Sequence, residues 1–267
     1  MKSTYLKIIF VACVFLYVPA KTNAWGVLGH RIVGQIADSY LTANTKAQIK
    51  KILGNESIAM ASNWADFIKS DSTFNYLSEW HYLNVPGGLS FNEFQTILKN
   101  DTAVNAYTKI NFLVKELKNK KTFNDRKKFY LRLLIHFVGD IHQPMHVGRL
   151  EDRGGNNIKV TWFNSPSNLH QVWDSRLIDF QQLSYTEYAD AINYATNNQK
   201  LVWQKEPMNI WFWQSYQAAE KIYGDIKNDD KLGYNYNFKY IELLEHQMLK
   251  GGVHLAALLN SIFSPQK

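Results

Sequence analysis

Between Val27 and Leu41 the apolar residues of VLGHRIVGQIADSYL fall three and four apart, which predicts an amphipathic helix with one buried face. The stretch TKAQIKKIL (residues 45–53) keeps the same period. Longer helices are predicted over residues 103–119 (AVNAYTKINFLVKELKN) and 125–142 (DRKKFYLRLLIHFVGDIH). Two more are predicted in the C-terminal third, over residues 209–226 (NIWFWQSYQAAEKIYGDI) and 240–263 (YIELLEHQMLKGGVHLAALLNSIF). The adjacent Gly251 and Gly252 weaken the last of these, because glycine disfavours a helix by about 1 kcal/mol relative to alanine. Strand signals are confined to HYLNV (81–85) and NIKVTWF (157–163), each near a Gly-rich turn. The pattern predicts a mainly α, single-domain helical bundle with a short β-hairpin. No repeat or linker divides it.

Ahead of the first helix, Lys2 and Lys7 precede the apolar run IIFVACVFLYV (residues 8–18), and TNA then ends on the small Ala24. Charge, apolar run and small residue in that order predict a signal peptide over residues 1–24, removed on export. A lipid-attachment reading at Cys13 competes, but half of the apolar run would then lie after the cysteine. The run is too short for a stable membrane anchor, and no later segment is long and apolar enough. The expectation is an exported monomer, periplasmic or secreted, with no membrane anchor and a single domain over residues 25–267. Of the 267 residues, 243 remain after the cut, enough for one sizeable core. Cys13 is the only cysteine, so the processed chain is held by its core, by metal, or by both. Loss of Lys2, Lys7 and Lys21 lowers the formal charge from +7 to +4, which suits a polyanionic partner without specifying one.

Candidate chemistry is concentrated in HFVGDIHQPMH, residues 136–146. His136 and Asp140 stand four apart, on one face of a helix. Pro144 ends or kinks that helix and can turn His146 back toward them. NLHQVWDS offers a second pair, His170 and Asp174, at the same spacing. Imidazole nitrogen and carboxylate oxygen are both zinc ligands. One such pair is usually a surface hydrogen bond; two, with Asp140 among leucines, valine and phenylalanine, point to a buried charge that needs a cation. Asp66 in NWADF and His81 in EWHYLN are flanked by aromatics and extend the set, although each alone is more often structural, Asp66 as a helix cap or surface acid and His81 as a core histidine. His142, two residues from Asp140, faces elsewhere on the helix. With His246 and His254 it is assigned a structural role.

In order and spacing, WGVLGHR, WAD, WHYLN, HFVGDIHQPMH, DRGGNNIKV and NLHQVWDS resemble the zinc-dependent single-strand-specific nuclease and 3′-nucleotidase family, over essentially the whole processed chain. That family shares the fold of bacterial zinc phospholipase C. The resemblance implies three zinc ions per chain. It implies that Trp25, through its free α-amino nitrogen and its carbonyl oxygen, and His30 hold one zinc with Asp140. Asp66, His81 and His136 would hold a second, with Asp140 bridging the two. His146, His170 and Asp174 would hold the third. The cut before Trp25 then gains a chemical purpose. An amide nitrogen is a poor donor because its lone pair is delocalised, whereas a terminal amine titrates near neutrality and coordinates once deprotonated.

The implied activity is metal-assisted hydrolysis of phosphodiesters in single-stranded RNA and DNA, leaving 5′-phosphates, together with 3′-nucleotidase activity. Asp140 and Lys69 take catalytic roles by resemblance, Tyr82 stacks on a base, and Asn84 and Asn156 meet the base edge. Asn84 stands where fungal and plant members often carry aspartate. An amide donates as well as accepts, which leaves base preference open. The lack of cysteines resembles a bacterial exported member. Two rivals remain: a zinc phospholipase C, for which an apolar docking loop is missing, and a non-catalytic exported zinc- or nucleotide-binding protein, which would have little use for so complete a ligand set.

Overall fold

The computed structural model describes residues 25–264; the signal peptide expected over residues 1–24, with Cys13, lies outside them. The chain opens with α1 (Val27–Ser39), α2 (Ala43–Leu53) and the short α3 (Ile58–Ala61) and α4 (Trp64–Phe67). Two 3₁₀ segments, Ile68–Ser70 and Ser72–His81, lead to α5 (Phe91–Asn100), α6 (Ala106–Lys118) and α7 (Asn124–Asp140). After a 3₁₀ turn at Pro144–Val147 come the strands β1 (Lys159–Trp162) and β2 (Ser165–Asn168). Next, α8 (Leu169–Gln171) passes through a π-helical turn, Val172–Arg176, into α9 (Leu177–Asp179). The last elements are α10 (Tyr185–Ile192), α11 (Asn197–Trp203), α12 (Met208–Tyr223), β3 (Asp230–Leu232) and α13 (Tyr234–Phe263). The architecture is mainly α, as the periodicity predicts.

The interior is organised around α7. Its first half is amphipathic, but every residue from Leu133 to Asp140 is buried, so its last two turns are enclosed on all sides. Helices α1, α6 and α13 pack around it, and α1 lies along α13. Burying leucine and phenylalanine side chains in this way contributes about 1.5–3 kcal/mol each, enough to carry the polar residues His136 and Asp140 into the core with them. Pro144 does not kink α7. The helix stops at Asp140, and Pro144 starts the separate 3₁₀ turn that carries His146.

Three expectations need correction. HYLNV forms no ladder strand: His81 closes a 3₁₀ segment, and Val85 contributes one isolated bridge to Arg149. Its amides are satisfied instead by the loop after α7, Leu83 donating to the His146 carbonyl at 2.8 Å and Val85 to that of Gly148 at 3.0 Å. The expected hairpin is present, with Lys159 opposite Asn168 and Trp162 opposite Ser165, but β3 adds a third strand parallel to β1. Finally, the glycine pair does not weaken α13, which runs unbroken for 30 residues. A Cβ at position 252 would stand 2.4 Å from Ile36 Cγ2, so glycine there permits the close approach of α1 and α13.

Helices α5, α10 and α11 were not expected from hydrophobic period, yet each opens on a reciprocal cap: Ser90 with Glu93, Ser184 with Glu187, Thr196 with Gln199. The caps fix where these helices begin, and α5 also carries an apolar face that buries Phe94 and Leu98. The close α1–α13 contact gives a test. Gly252→Ala is expected to cost about 1–3 kcal/mol of stability by overpacking against Ile36, read as a lower urea midpoint. An unchanged midpoint would mean that the interface yields.

Candidate metal centre

Asp140, at the C-terminal end of α7, is fully buried and surrounded by imidazoles. Its Oδ1 lies 3.3 Å from His30 Nε2 of α1, and its Oδ2 lies 2.9 Å from His81 Nδ1 and 3.3 Å from His136 Nε2. His30 and His136 stack with ring centroids 3.8 Å apart. Asp66 of α4 joins them, with Oδ1 3.8 Å from His136 Nε2 and 2.6 Å from the Lys69 ammonium. The start of the described chain is sewn into the same place. The Trp25 indole donates to the Gly139 carbonyl at 2.7 Å, and the Gly26 amide donates to the Asp174 carbonyl at 2.6 Å. Gly139 has to be small, because a Cβ there would stand 2.9 Å from His30 Nδ1.

A second focus lies next to the first. His146 Nε2 is 3.6 Å from Asp174 Oδ1, and His170 Nε2 is 3.2 Å from Asp174 Oδ2. His146 Nδ1 is also 3.9 Å from Asp140 Oδ1, which joins the two foci. The π-helical turn after α8 presents Asp174 on the side of His170, and Gln143 donates to the other carboxylate oxygen. In the sequence Gln143 stands ahead of Pro144 and between His142 and His146, and that position is the one local signal of its contact with Asp174.

Ligand-type atoms gather within 4.8 Å of one another in three groups: His30, Asp66 and His136; His81, His136 and Asp140; His146, His170 and Asp174. The third is the set implied by the resemblance. The first two divide the remaining residues differently and share His136, while Asp140 touches His30, His81 and His136 alike.

Two observations test whether these groups fit a cation. Three histidines have one ring nitrogen committed to a backbone carbonyl: His136 Nδ1 to Ser62 at 2.6 Å, His146 Nδ1 to His81 at 2.7 Å, and His170 Nδ1 to Gly154 at 2.6 Å. Each donates there, so in the neutral ring Nε2 keeps its lone pair and faces the carboxylates. The second observation is what is left without partners. Both ring nitrogens of His30, His81 Nε2, His146 Nε2, Asp140 Oδ1 and Asp174 Oδ2 are buried and make no hydrogen bond. Two ligands of a tetrahedral zinc stand roughly 3.3 Å apart, close to the His170–Asp174 separation of 3.2 Å. The residues fit the metal.

The electrostatics agree. Burial holds His30 and His81 well below the usual histidine range and brings His136 down to about 4, so these rings are neutral lone-pair donors at pH 7. Burial, reinforced by Asp66, pushes Asp140 well above the usual carboxylate range. At Asp174 burial also pushes upward, but His170 and His146 outweigh it and bring the group down to about 2. A buried divalent cation would restore Asp140 to its charged form.

Beside the foci opens a cleft of about 510 Å³, with Lys69, His81, Tyr82, Asn84, His146 and His170 among its walls. Asn156 lines it too and donates to the Arg153 carbonyl at 2.8 Å. Asn84 Oδ1 is buried without a partner. Arg153, within DRGGNNIKV, shares this wall with Asn75 and Ser78, which lie outside the motifs of the sequence. His142, His246 and His254 lie outside the three groups. His142 Nδ1 donates to the Val138 carbonyl at 2.7 Å, and its Nε2 meets His254 Nδ1 at 2.7 Å. His254 in turn faces Glu206 at 3.2 Å and stacks on Trp211. His246 packs edge-on against Trp203.

Residues 25–264 match the family model described as S1/P1 Nuclease. The chain is 31% identical over 270 residues to Endonuclease 4 of Arabidopsis thaliana, covering 90% of this chain and 89% of that one. It is 27% identical over 276 residues to Nuclease S1 of Aspergillus oryzae (91% and 93% covered). Its identity to Nuclease P1 of Penicillium citrinum is 26% over 273 residues (89% and 97% covered).

Metal bound to the six unpartnered buried donor atoms is expected to stabilise the fold. Dialysis against a chelator is expected to lower the thermal midpoint by roughly 5–10 °C, with recovery on adding zinc. An unchanged midpoint in a protein that elemental analysis finds metal-free would argue against these groups as metal sites.

Proposed function

The chain belongs to the S1/P1 nuclease family, and from that premise we propose a zinc-dependent endonuclease that cleaves single-stranded RNA and DNA to 5′-phosphorylated products and acts on 3′-nucleotides. Enzymes of this family are hydrolases of phosphodiester bonds. The observation that carries the reading is the Asp140 carboxylate, fully buried with three imidazole nitrogens within 3.3 Å. Such a carboxylate would be suited to help hold two cations.

Trp25, His30 and Asp140 would hold one zinc, Asp66, His81, His136 and Asp140 a second, and His146, His170 and Asp174 the third. When bound, zinc supplies an acidified water as nucleophile and charge neutralisation at the phosphoryl oxygens. The chain supplies the rest. Carbonyls of Ser62, His81 and Gly154 fix three imidazoles, so the ligand atoms need no reorganisation during the reaction. Lys69, held at the cleft by Asp66, brings a positive charge to the phosphate. Tyr82, 38% exposed beside His81, offers a ring for a base to stack on. The Asn156 amide nitrogen is engaged by the Arg153 carbonyl, which leaves its own carbonyl oxygen for the base edge, while Asn84 lines the cleft with its Oδ1 buried and unpartnered. A base has to leave a duplex to reach this ring, and the energy of unstacking favours single strands.

Export through a signal peptide belongs to the same reading, since removal of residues 1–24 would liberate the amine of Trp25, whose indole is held by the Gly139 carbonyl next to Asp140. Two outcomes are expected. Asp140→Asn should lower the zinc content by about two ions and abolish nearly all hydrolysis, since one carboxylate would serve both (elemental analysis with a single-stranded RNA assay). Retained turnover would exclude a bridging role. A chain carrying one extra residue before Trp25 should lose most of its turnover while keeping its circular dichroism spectrum; full activity would remove the terminus from the centre.

A further inference from the structure

We infer that a second surface, continuous with the cleft, carries the nucleotides of a longer single strand beyond the base at Tyr82; this rests on the nuclease reading above. The 3₁₀ segment Ser72–His81 repeats every three residues, so Asn75, Ser78 and His81 share the face that lines the cleft. Tyr76, the residue after Asn75, turns away from that face and is 54% exposed. Its ring meets the edge of Trp80 with centroids 5.8 Å apart, and Trp80 meets Phe112 of α6 at 6.2 Å. Phe112 is itself 38% exposed. Two accessible rings thus flank a buried indole that fixes their positions.

Helix α6 connects this surface to the cleft. Its first residue, Ala106, donates its amide to the Tyr82 carbonyl at 3.0 Å. At 1.5 Å per residue, Lys109 then stands about 4.5 Å and Phe112 about 9 Å further along the axis. The Lys109 ammonium rests on rings, 4.7 Å from the Trp80 centroid and 5.8 Å from that of Phe112. It is therefore available to a phosphate passing between the exposed rings. Stacking faces with a cation between them suit a single strand of any sequence, because every base has a π-face and every linkage a negative charge. Paired bases keep their faces covered by their neighbours. The surface therefore adds affinity for long single strands and none for a substrate that ends at the cleft.

The test uses the processed, zinc-loaded enzyme, with the double variant Tyr76→Ala/Phe112→Ala and the single variant Lys109→Gln. All three side chains are at least partly exposed, and none has been placed among the metal ligands. KM is measured for a dinucleoside monophosphate, which fills the cleft alone, and for an oligodeoxythymidylate of about ten nucleotides. Binding of a phosphorothioate form of the same oligonucleotide is followed by fluorescence anisotropy, which needs no turnover. The expected result is a rise of about five- to tenfold in KM and Kd for the oligonucleotide in the double variant, a smaller rise in Lys109→Gln, and unchanged kinetics on the dinucleotide. Equal effects on both substrates, or none on the oligonucleotide, would overturn the second surface and leave the nuclease reading standing. If wild type hydrolyses neither substrate, the nuclease reading fails. Anisotropy then decides the surface alone: unchanged binding in the double variant overturns it, and weakened binding supports it.

Discussion

A carboxylate fully withdrawn from water is the constraint around which this protein is arranged. An uncompensated buried charge costs several kcal/mol, and Asp140 has neither a lysine nor an arginine as a direct partner within the three ligand groups. What surrounds it are imidazoles, which burial keeps neutral. Neutral histidines do not cancel a negative charge, but they complete a cation's coordination. The free atoms on both sides, Asp140 Oδ1 and His81 Nε2 among them, are the signature of a site made for something other than protein.

The scaffold follows from holding that site rigid. The last two turns of α7 are enclosed by α1, α6 and α13, so His136 and Asp140 cannot shift without disturbing packed aliphatic side chains. Beyond Asp140 the chain is fixed by polar contacts instead. Ser215 donates to the Ile141 carbonyl, Gln247 to that of His142 at 2.9 Å, and His142 Nε2 meets His254 Nδ1 at 2.7 Å, which ties the end of α7 to α13. Histidines outside the three groups thus help to position those within them. Further out, Arg149 makes a two-pronged pair with Glu220 of α12 at 2.8 and 3.0 Å, which holds the loop carrying Gly148 against the helical body.

A similar division of labour separates chemistry from recognition. The ligand histidines are buried and fixed, whereas Lys69, Tyr82, Asn84 and Asn156 sit at the cleft with part of their surface in water. Rigid ligands preserve the metal geometry, while the more exposed walls allow bases of different shape to enter. This suits a nuclease, whose affinity for a single strand comes from stacking and charge more than from a closed pocket. The basic balance of the chain, +7 over its full length, works in the same direction by raising the local concentration of polyanions.

Local regularities in the sequence were enough to establish the helical class, the main helices, and the two carboxylate–histidine pairs, because a 3.6-residue period and an i,i+4 spacing are properties of neighbouring residues. Capping boxes at Ser90, Ser184 and Thr196 are local signals of the same kind that were not read from the sequence, and the structure shows that they open α5, α10 and α11. Other features depend on partners far along the chain. The closeness of α1 and α13, which makes Gly252 necessary, is set by Ile36, more than two hundred residues away. The pairing of β3 with β1 and the diversion of HYLNV to the loop after α7 are likewise decided by which backbone groups meet in space. Above all, no local pattern links His30, His81 and Asp140, and the sequence joins them only through the family resemblance. Only tertiary structure brings them to within 3.3 Å, because convergence on a point depends on how helices pack against one another, and no short-range pattern encodes that.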